Sequence, residues 1–319
     1  MIVGTLLGVR RCARLSPLLP SWAMTSPALP YTRARVTSRD GTAIGYRSLG
    51  AGPGLILVHG GMQAAQNFMT LARLLSDAFT VHVPDRRGRG ASGPYGDNYA
   101  IERDCEDLQA ILDETGAHHV FGLSSGALIS MKTALGSTAI HRLALYEPPL
   151  PVLGASPTEW VPSYEEELRR GDLAAAMVSV IKGTADAGIF EAVPRFLLVP
   201  LLRLAIRADE KRVQGDEVAI SALIPTMHYD ALIVGAQRGT LEDYRGLSAE
   251  VLLLGGSKSH AFLRAALDAI FKVIPNARRV EIPGVGHIAA DNKGKPELVA
   301  AELRRFFGAP QGQEGGSAA

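Results

Sequence analysis

The sequence has few cysteines and no excess charge of either sign. Only two cysteines occur among 319 residues, so a disulfide framework is not expected and a reducing compartment suits the chain. The 33 Lys and Arg residues balance 32 Asp and Glu residues, which gives no field that would attract nucleic acid. We therefore expect a small-molecule substrate and no nucleic-acid partner.

Long apolar runs and metal-ligand motifs are missing as well. No stretch reaches the ~18 to 20 apolar residues that cross a bilayer, so we expect no stable membrane insertion. No pair of histidines has the spacing of a zinc site, and we predict neither a metal nor a cofactor.

The chain begins with an unusual basic segment. Its first 39 residues contain six arginines, and no acidic residue occurs before Asp40. That composition is typical of a mitochondrial presequence, but a start site assigned too early, with Met24 as the true start, explains it equally. We expect residues 1–32 to be an arm outside the fold of a cytoplasmic protein, or of a mitochondrial one if the arm is a presequence. At the other end, residues 309–319 are predicted to be a disordered tail.

Apolar runs alternate with helical patterns through residues 33–147 and again through residues 250–308. Alternating β and α units predict a parallel sheet with helices around it. Residues 148–249 contain successive helical patterns interrupted by prolines, which predicts an inserted helical cap. The most apolar run of the cap, residues 196–202, has two interpretations. It could contact a membrane, but we favour a buried cap helix over an apolar pocket.

A Gly-x-Ser-x-Gly pentapeptide, Gly122 to Gly126, follows one of the apolar runs and precedes a helical pattern. The order strand, tight turn, helix pushes the serine hydroxyl out at the carboxyl edge of the sheet. Ser124 is therefore the candidate nucleophile.

Three further motifs also come directly after predicted strands. They are His59-Gly60-Gly61, Asp85-x-Arg87-Gly88-x-Gly90-x-Ser92 and Gly286-His287. In this order and on these elements, the four motifs resemble the α/β-hydrolase family over residues 33–307. The resemblance implies an α/β fold in which helices flank an eight-stranded, mostly parallel sheet, with a cap between the sixth and seventh strands.

The resemblance also implies roles for particular residues. A serine hydroxyl needs a base to accept its proton, and His287 lies on the loop where the family carries that base. The negative oxygen formed by attack on a carbonyl needs fixed N–H donors. The backbone groups of Ser125 and Gly61 match the family's oxyanion hole, with Met62 as the alternative to Gly61.

The acid that orients the histidine departs from the family pattern. Most members carry it after the seventh strand, where residues 255–260 include neither Asp nor Glu. Some members carry it after the sixth strand, where this chain has Glu147. We predict a carboxylate oxygen of Glu147 within ~3.5 Å of the imidazole of His287. Asp291 is the other candidate, but we expect it to face solvent.

The activity expected from these residues is that of a serine hydrolase, which would cleave a small, largely apolar ester, thioester or lactone through an acyl-enzyme. A serine nucleophile argues against the dehalogenase and epoxide-hydrolase branches of the family, which use Asp. Carbon–carbon bond hydrolysis and acyl transfer remain open because they use the same residues. A non-catalytic, ligand-binding role also remains open.

Overall fold

The computed structural model describes residues 30–152, 158–184 and 193–308. The predictions for residues 1–29 of the arm and for the tail at residues 309–319 lie outside these ranges. The predicted end of the arm at residue 32 is wrong, because Thr32 already belongs to the first strand and the hydroxyl of Tyr31 donates to Oδ1 of Asp216 at 2.8 Å. Within them, no helix combines the length and the apolar character needed to cross a bilayer.

The described residues form one sheet in the spatial order β1-β2-β4-β3-β5-β6-β7-β8. Its strands are β1 Thr32–Thr37, β2 Ala43–Leu49, β3 Gly54–Val58, β4 Thr80–Pro84, β5 His119–Leu123, β6 Arg142–Tyr146, β7 Glu250–Gly256 and β8 Ala277–Ile282. Strand β2 is antiparallel to β1 and β4, and all other neighbours are parallel. The prediction of an eight-stranded, mostly parallel sheet is confirmed.

Helices cover both faces of this sheet. They are α1 Met69–Leu75, α2 Ile101–Thr115, α3 Ser125–Gly136, α4 Val161–Arg169, α5 Leu173–Gly183, α6 Arg195–Glu210, α7 Ile220–Leu223, α8 Met227–Ala236, α9 Ala261–Val273 and α10 Pro296–Phe307. Strands β5 and β6 are buried at every residue, as expected of parallel strands covered on both sides.

Alternate residues of the central strands pack into different cores. Ile56 and Val120 belong to the cluster on one face, while Leu57 and Phe121 belong to the cluster on the other. The sheet is thereby fixed between two apolar layers. The carboxyl ends of its parallel strands meet at one edge, where a site can be built on rigid elements.

Helices α4 to α8 lie between β6 and β7, and we call them the inserted helices. They occupy the stretch in which the sequence predicts a helical cap. A separate apolar cluster packs within them, and its members include Trp160, Tyr164, Val180 and Ile224.

The prediction that residues 196–202 form a buried helix is wrong for one face of α6. Phe196, Leu197 and Leu201 are 74%, 53% and 55% exposed. The helix buries Leu198 and Ile206 instead. A helix that packs on one side can bury only the residues that recur with its 3.6-residue period, and α6 is apolar on more than that side.

Candidate active site

The candidate nucleophile lies at a strained turn between β5 and α3. Ser124 has φ 55° and ψ −123°, a backbone conformation that residues other than glycine rarely adopt. The glycines around it allow the close approach of backbone. A Cβ on Gly122 would lie 2.6 Å from the carbonyl oxygen of Gly126, and a Cβ on Gly126 would lie 2.4 Å from that of His59. The turn is therefore held in place by its neighbours, and Ser124 lines a cavity.

The structure brings Glu147 and His287 together. Oε2 of Glu147 lies 2.7 Å from Nδ1 of His287, inside the limit set from the sequence. The carboxylate is fully buried, and its Oε1 accepts a hydrogen bond of 2.6 Å from the backbone N–H of Gly256. Both carboxylate oxygens thus receive donors, which fixes the orientation of the group.

The end of β7, Gly255 and Gly256, packs closely against Glu147. A Cβ on Gly255 would lie 2.7 Å from Cδ1 of Leu267 and 3.2 Å from Oε1 of Glu147. Gly255 therefore leaves the space into which Glu147 extends from the end of the adjacent strand β6. The last residue of β7, Gly256, thus contributes a backbone donor to this carboxylate.

The expectation that Asp291 faces solvent is wrong. It is 6% exposed, and its Oδ2 accepts hydrogen bonds from Nε2 of Gln63 at 2.8 Å and Nδ2 of Asn67 at 2.9 Å. Oε1 of Gln63 in turn accepts from the backbone N–H of Gly60 at 2.9 Å. Because the loop carrying Asp291 folds back against the turn after β3, its carboxylate supports that turn.

One cavity of about 100 Å³ contains Ser124, His287, Ser125 and Gly61 on its wall. Glu147 lies behind His287. Apolar side chains make up most of the remaining wall, including Leu123, Trp160, Val180, Val234, Phe262 and Leu263. No Lys or Arg lines this cavity in the described part of the chain. The described wall is therefore mostly apolar and contributes no cationic Lys or Arg side chain.

The predicted oxyanion donors lie on two turns that border the cavity. Ser125 is the first residue of α3, and the N–H of a first helical residue has no partner within its helix. Gly61 and Met62 follow β3 on the other side, and Met62 has a positive φ of 49°. Residues of both turns thus line one cavity, and the oxyanion roles of Ser125 and of Gly61 or Met62 stay predictions.

Sequence reasoning missed a buried carboxylate at this site. Asp230 of α8 lines the cavity and is 1% exposed. It bonds to Arg86, Arg89 and Ser125. The two arginines flank Arg87 in the glycine-rich loop after β4. That basic loop was visible in the sequence, but nothing in the sequence indicated its partner on α8.

Charges perturb the titration of this cluster. Burial raises the pKa of Asp230, but the charges of Arg89 and Arg86 outweigh burial and hold it well below the usual value. Burial, together with the same two charges, holds the pKa of His59 well below normal. A neutral His59 suits its contacts, since Nδ1–H donates to the carbonyl oxygen of Gly60 and Nε2 accepts from the N–H of Arg86.

Over the described ranges, no group of three or more His, Cys, Asp or Glu residues could hold a metal ion. The arrangement offers a serine, an oriented imidazole and backbone N–H donors. These are the parts needed for nucleophilic attack on a carbonyl.

A family model described as the alpha/beta hydrolase family matches residues 55–302. The chain belongs to this family. The match spans the sheet from β3 onward together with the inserted helices, and the resemblance drawn from the four motifs is confirmed.

Several relatives place this alpha/beta hydrolase among proteins with different substrates. It is 24% identical to 2-(acetamidomethylene)succinate hydrolase of Mesorhizobium japonicum, over 82% of this chain and 91% of that one. It is 27% identical to pimeloyl-[acyl-carrier protein] methyl ester esterase of Stenotrophomonas maltophilia, over 84% of this chain and 97% of that one. A solved alpha/beta hydrolase from Sphaerobacter thermophilus is 30% identical, with a TM-score of 0.68 over 86% of this chain and 100% of that one.

Proposed function

We propose that this alpha/beta hydrolase is a serine hydrolase that cleaves a small, largely apolar ester, thioester or lactone through an acyl-enzyme. The observation that carries the proposal is the hydrogen bond between Glu147 and Nδ1 of His287, in a cavity that also contains Ser124. A carboxylate on Nδ1 favours the tautomer that carries its proton on Nδ1, so that Nε2 presents a lone pair able to accept a proton.

The proposed reaction has two halves. Nε2 of His287 accepts the proton of Ser124 while Oγ attacks the substrate carbonyl carbon, and the carbonyl oxygen becomes negative. The backbone N–H groups of Ser125 and Gly61 would hydrogen-bond this oxygen, and Glu147 would stabilise the imidazolium. Collapse breaks the bond to the leaving group, which takes the proton from Nε2. Water activated by the same imidazole then attacks the acyl-serine, releasing the acid and restoring Ser124.

The cavity supports a short, uncharged acyl group. An apolar cavity of roughly 150 Å³ holds a benzene-sized molecule, so about 100 Å³ suits a chain of a few carbons. The absence of Lys and Arg from the described lining argues against a substrate with a free carboxylate in the cavity, such as the succinate named for one relative. The methyl ester named for the other relative supports the ester class.

The proposal is tested with p-nitrophenyl esters from acetate to octanoate. We expect kcat/KM to be highest for short chains, and Ser124→Ala to lower kcat by ~10³-fold or more. Ser137→Ala, the same substitution just beyond the far end of α3, serves as the control and should leave kcat unchanged. Turnover by Ser124→Ala within a few-fold of wild type would refute the serine mechanism.

A fluorophosphonate separates the alternatives, because it labels only an activated serine. Labelling at Ser124 with no turnover of any ester would favour carbon–carbon bond hydrolysis or acyl transfer. A folded protein without labelling would favour ligand binding alone. The hydrogen bond of Glu147 to His287 argues against this last role, which drew its support from the missing acid after β7.

A further inference from the structure

A buried cluster of charges connects α8 to both turns that carry the predicted oxyanion donors. Asp230 lies at its centre. Its Oδ1 accepts from Oγ of Ser125 at 2.7 Å and from Nη1 of Arg86 at 2.8 Å. Its Oδ2 accepts from Nη2 of Arg89 at 2.6 Å. All three donors have side chains that are buried.

Arg89 carries the connection onward to the turn after β3. Its Nη1 donates to the carbonyl oxygens of Gly60 at 2.9 Å and of Gln63 at 3.0 Å. These two residues flank Gly61 and Met62, whose N–H groups are the candidates for the second oxyanion donor. One guanidinium therefore bridges the carboxylate of Asp230 and both ends of that turn.

Arg86 fixes the other side of the cluster to the sheet domain. Its Nε donates to Oδ1 of Asp104 on α2 at 3.0 Å, and its Nη1 also reaches Oγ of Ser125 at 3.2 Å. The hydroxyl of Ser125 thus lies between a fixed cation and a fixed anion. Its backbone N–H belongs to the same residue, so the position of the hydroxyl restrains that of the predicted donor.

Helix α8 also packs directly on the turn after β3. A Cβ on Gly61 would lie 2.8 Å from Sδ of Met227 and 3.4 Å from Cγ of Asp230. Because the side chains of α8 fill the space beside Gly61, a shift of α8 would release this turn. The contact reaches the candidate donor itself.

A purely structural role explains this cluster poorly. Buried ion pairs are often no more stabilising than apolar residues of the same size, because burial of the charges opposes their attraction. Here two arginines and two aspartates are buried where backbone donors need a fixed position. Small displacements of catalytic groups are known to lower reaction rates strongly.

We infer that Asp230 is a positioning residue for the oxyanion hole. It holds Ser125 directly and holds the turn that contains Gly61 through Arg89. The oxyanion hole is therefore complete only while α8 packs against these two turns. This inference rests on the proposed serine mechanism. It makes one of the inserted helices part of the apparatus that stabilises the transition state.

The test compares Asp230→Asn, Ser125→Ala and the double variant. Ser125→Ala keeps the backbone donor and deletes only the hydroxyl. We expect kcat to fall ~10- to 100-fold in Asp230→Asn and less in Ser125→Ala, with KM changed little, because both weaken transition-state contacts. The double variant should be no slower than Asp230→Asn by more than about two-fold, since both act through one network.

Asp216→Asn is the matched control. Asp216 lies between α6 and α7 and binds two arginines of the sheet, Arg33 and Arg47, so it also ties the inserted segment to the core. It does not line the cavity of Ser124. General loosening of the inserted helices would lower kcat in this variant too, whereas the inference predicts wild-type kcat.

A trifluoromethyl ketone supplies a readout that folding alone does not move. Its adduct with Ser124 carries a negative oxygen, so its inhibition constant should rise in step with the loss of kcat/KM. Active sites are counted with a fluorophosphonate, so that unfolded protein does not enter kcat. Should Asp230→Asn fail to fold, Ser125→Ala still tests the inference.

Two failures are distinguishable. Activity in Ser124→Ala overturns the proposed function together with the inference. The inference alone is overturned if Ser124→Ala is inactive while Asp230→Asn and Ser125→Ala keep wild-type kcat and inhibitor affinity. This holds even if Asp230→Asn and Ser125→Ala have lower melting temperatures. Independent, multiplicative losses in the double variant also overturn it.

Discussion

Replacing Glu147 by Gln tests the proposed mechanism at the residue that departs from the usual pattern of the family. The two side chains have nearly the same shape, so the fully buried position needs no rearrangement. The difference is in donors and acceptors. The backbone N–H of Gly256 and the Nδ1–H of His287 both point at the carboxylate and both need an acceptor. A glutamine has a single side-chain oxygen, so only one of them can keep its bond.

Either orientation of the amide disturbs the site. If the amide oxygen of the new glutamine accepts from Gly256, its NH₂ group faces Nδ1 of His287 and donates to it. The imidazole then carries its proton on Nε2, and Nε2 cannot accept the proton of Ser124. With its oxygen on His287, the NH₂ group opposes the N–H of Gly256. We expect kcat to fall ~10²- to 10⁴-fold, because the wrong tautomer dominates and the imidazolium loses its counter-charge. One lost hydrogen bond should also lower the free energy of unfolding by about 1–3 kcal/mol.

The assay is ester hydrolysis per fluorophosphonate-titrated site, with urea unfolding measured alongside. Glu165→Gln is the control, because Glu165 makes a hydrogen bond of similar length, 2.6 Å, to His228. Neither residue lines the cavity, and both side chains are about 40% exposed. The control should keep kcat within about two-fold, since exposed pairs contribute little. A folded Glu147→Gln enzyme with kcat within about three-fold of wild type would refute the assigned role of Glu147.

Three further predictions concern the support of the site and the stability of the fold. Gly255→Ala should lower both kcat and melting temperature, because its Cβ would collide with the side chain of Leu267 and crowd Glu147; unchanged activity by ester assay would contradict this. Tyr146→Phe deletes the hydroxyl that donates a hydrogen bond of 2.8 Å to the carbonyl oxygen of Gly286. We expect urea unfolding to show a free energy of unfolding lower by about 1 kcal/mol, and a smaller loss of kcat than in Glu147→Gln. Burial lowers the pKa of His82 to about 4, so this residue binds its proton more readily in the unfolded chain, where its pKa is ~6.5. Urea unfolding should therefore show stability falling as the pH drops from ~6.5 towards 4, by up to about 1.4 kcal/mol per pH unit for this group. His82→Gln should remove only this share of the slope, because His59 and His119 also have lowered pKa values and contribute in the same direction.

The sequence was sufficient for features that depend on neighbours along the chain. Ser124 and His287 belong to short motifs at strand ends, and the order of strands then brings them to one edge. The contact of Glu147 with His287 was predicted because Glu147 directly follows a strand. The contact of Glu147 with the glycines at the end of β7 was not predictable, because the space beside Gly255 exists only once β6 and β7 are paired.

Features that depend on side chains far apart in sequence were missed. Asp230 meets Arg86 and Arg89 across more than 140 residues, and no local pattern links an aspartate in a helix to a basic loop. Asp291 was expected at the surface because its position on the loop was clear and the fold of that loop was not. The buried face of α6 was unpredictable for a related reason, since an apolar run does not tell which side meets the neighbouring helix.

Among the described residues, left-handed backbone on a residue with a side chain occurs at Met62, Ser124 and Glu147. Each such residue destabilises the fold by roughly 1–3 kcal/mol relative to a relaxed backbone, which is a large share of a typical folding free energy. Glycine would relieve the strain at each position, but at two of them it would remove the proposed nucleophile Ser124 or the proposed acid Glu147. Selection of this protein for heat resistance alone should therefore drift toward inactive sequences, and directed evolution needs an activity screen at every round.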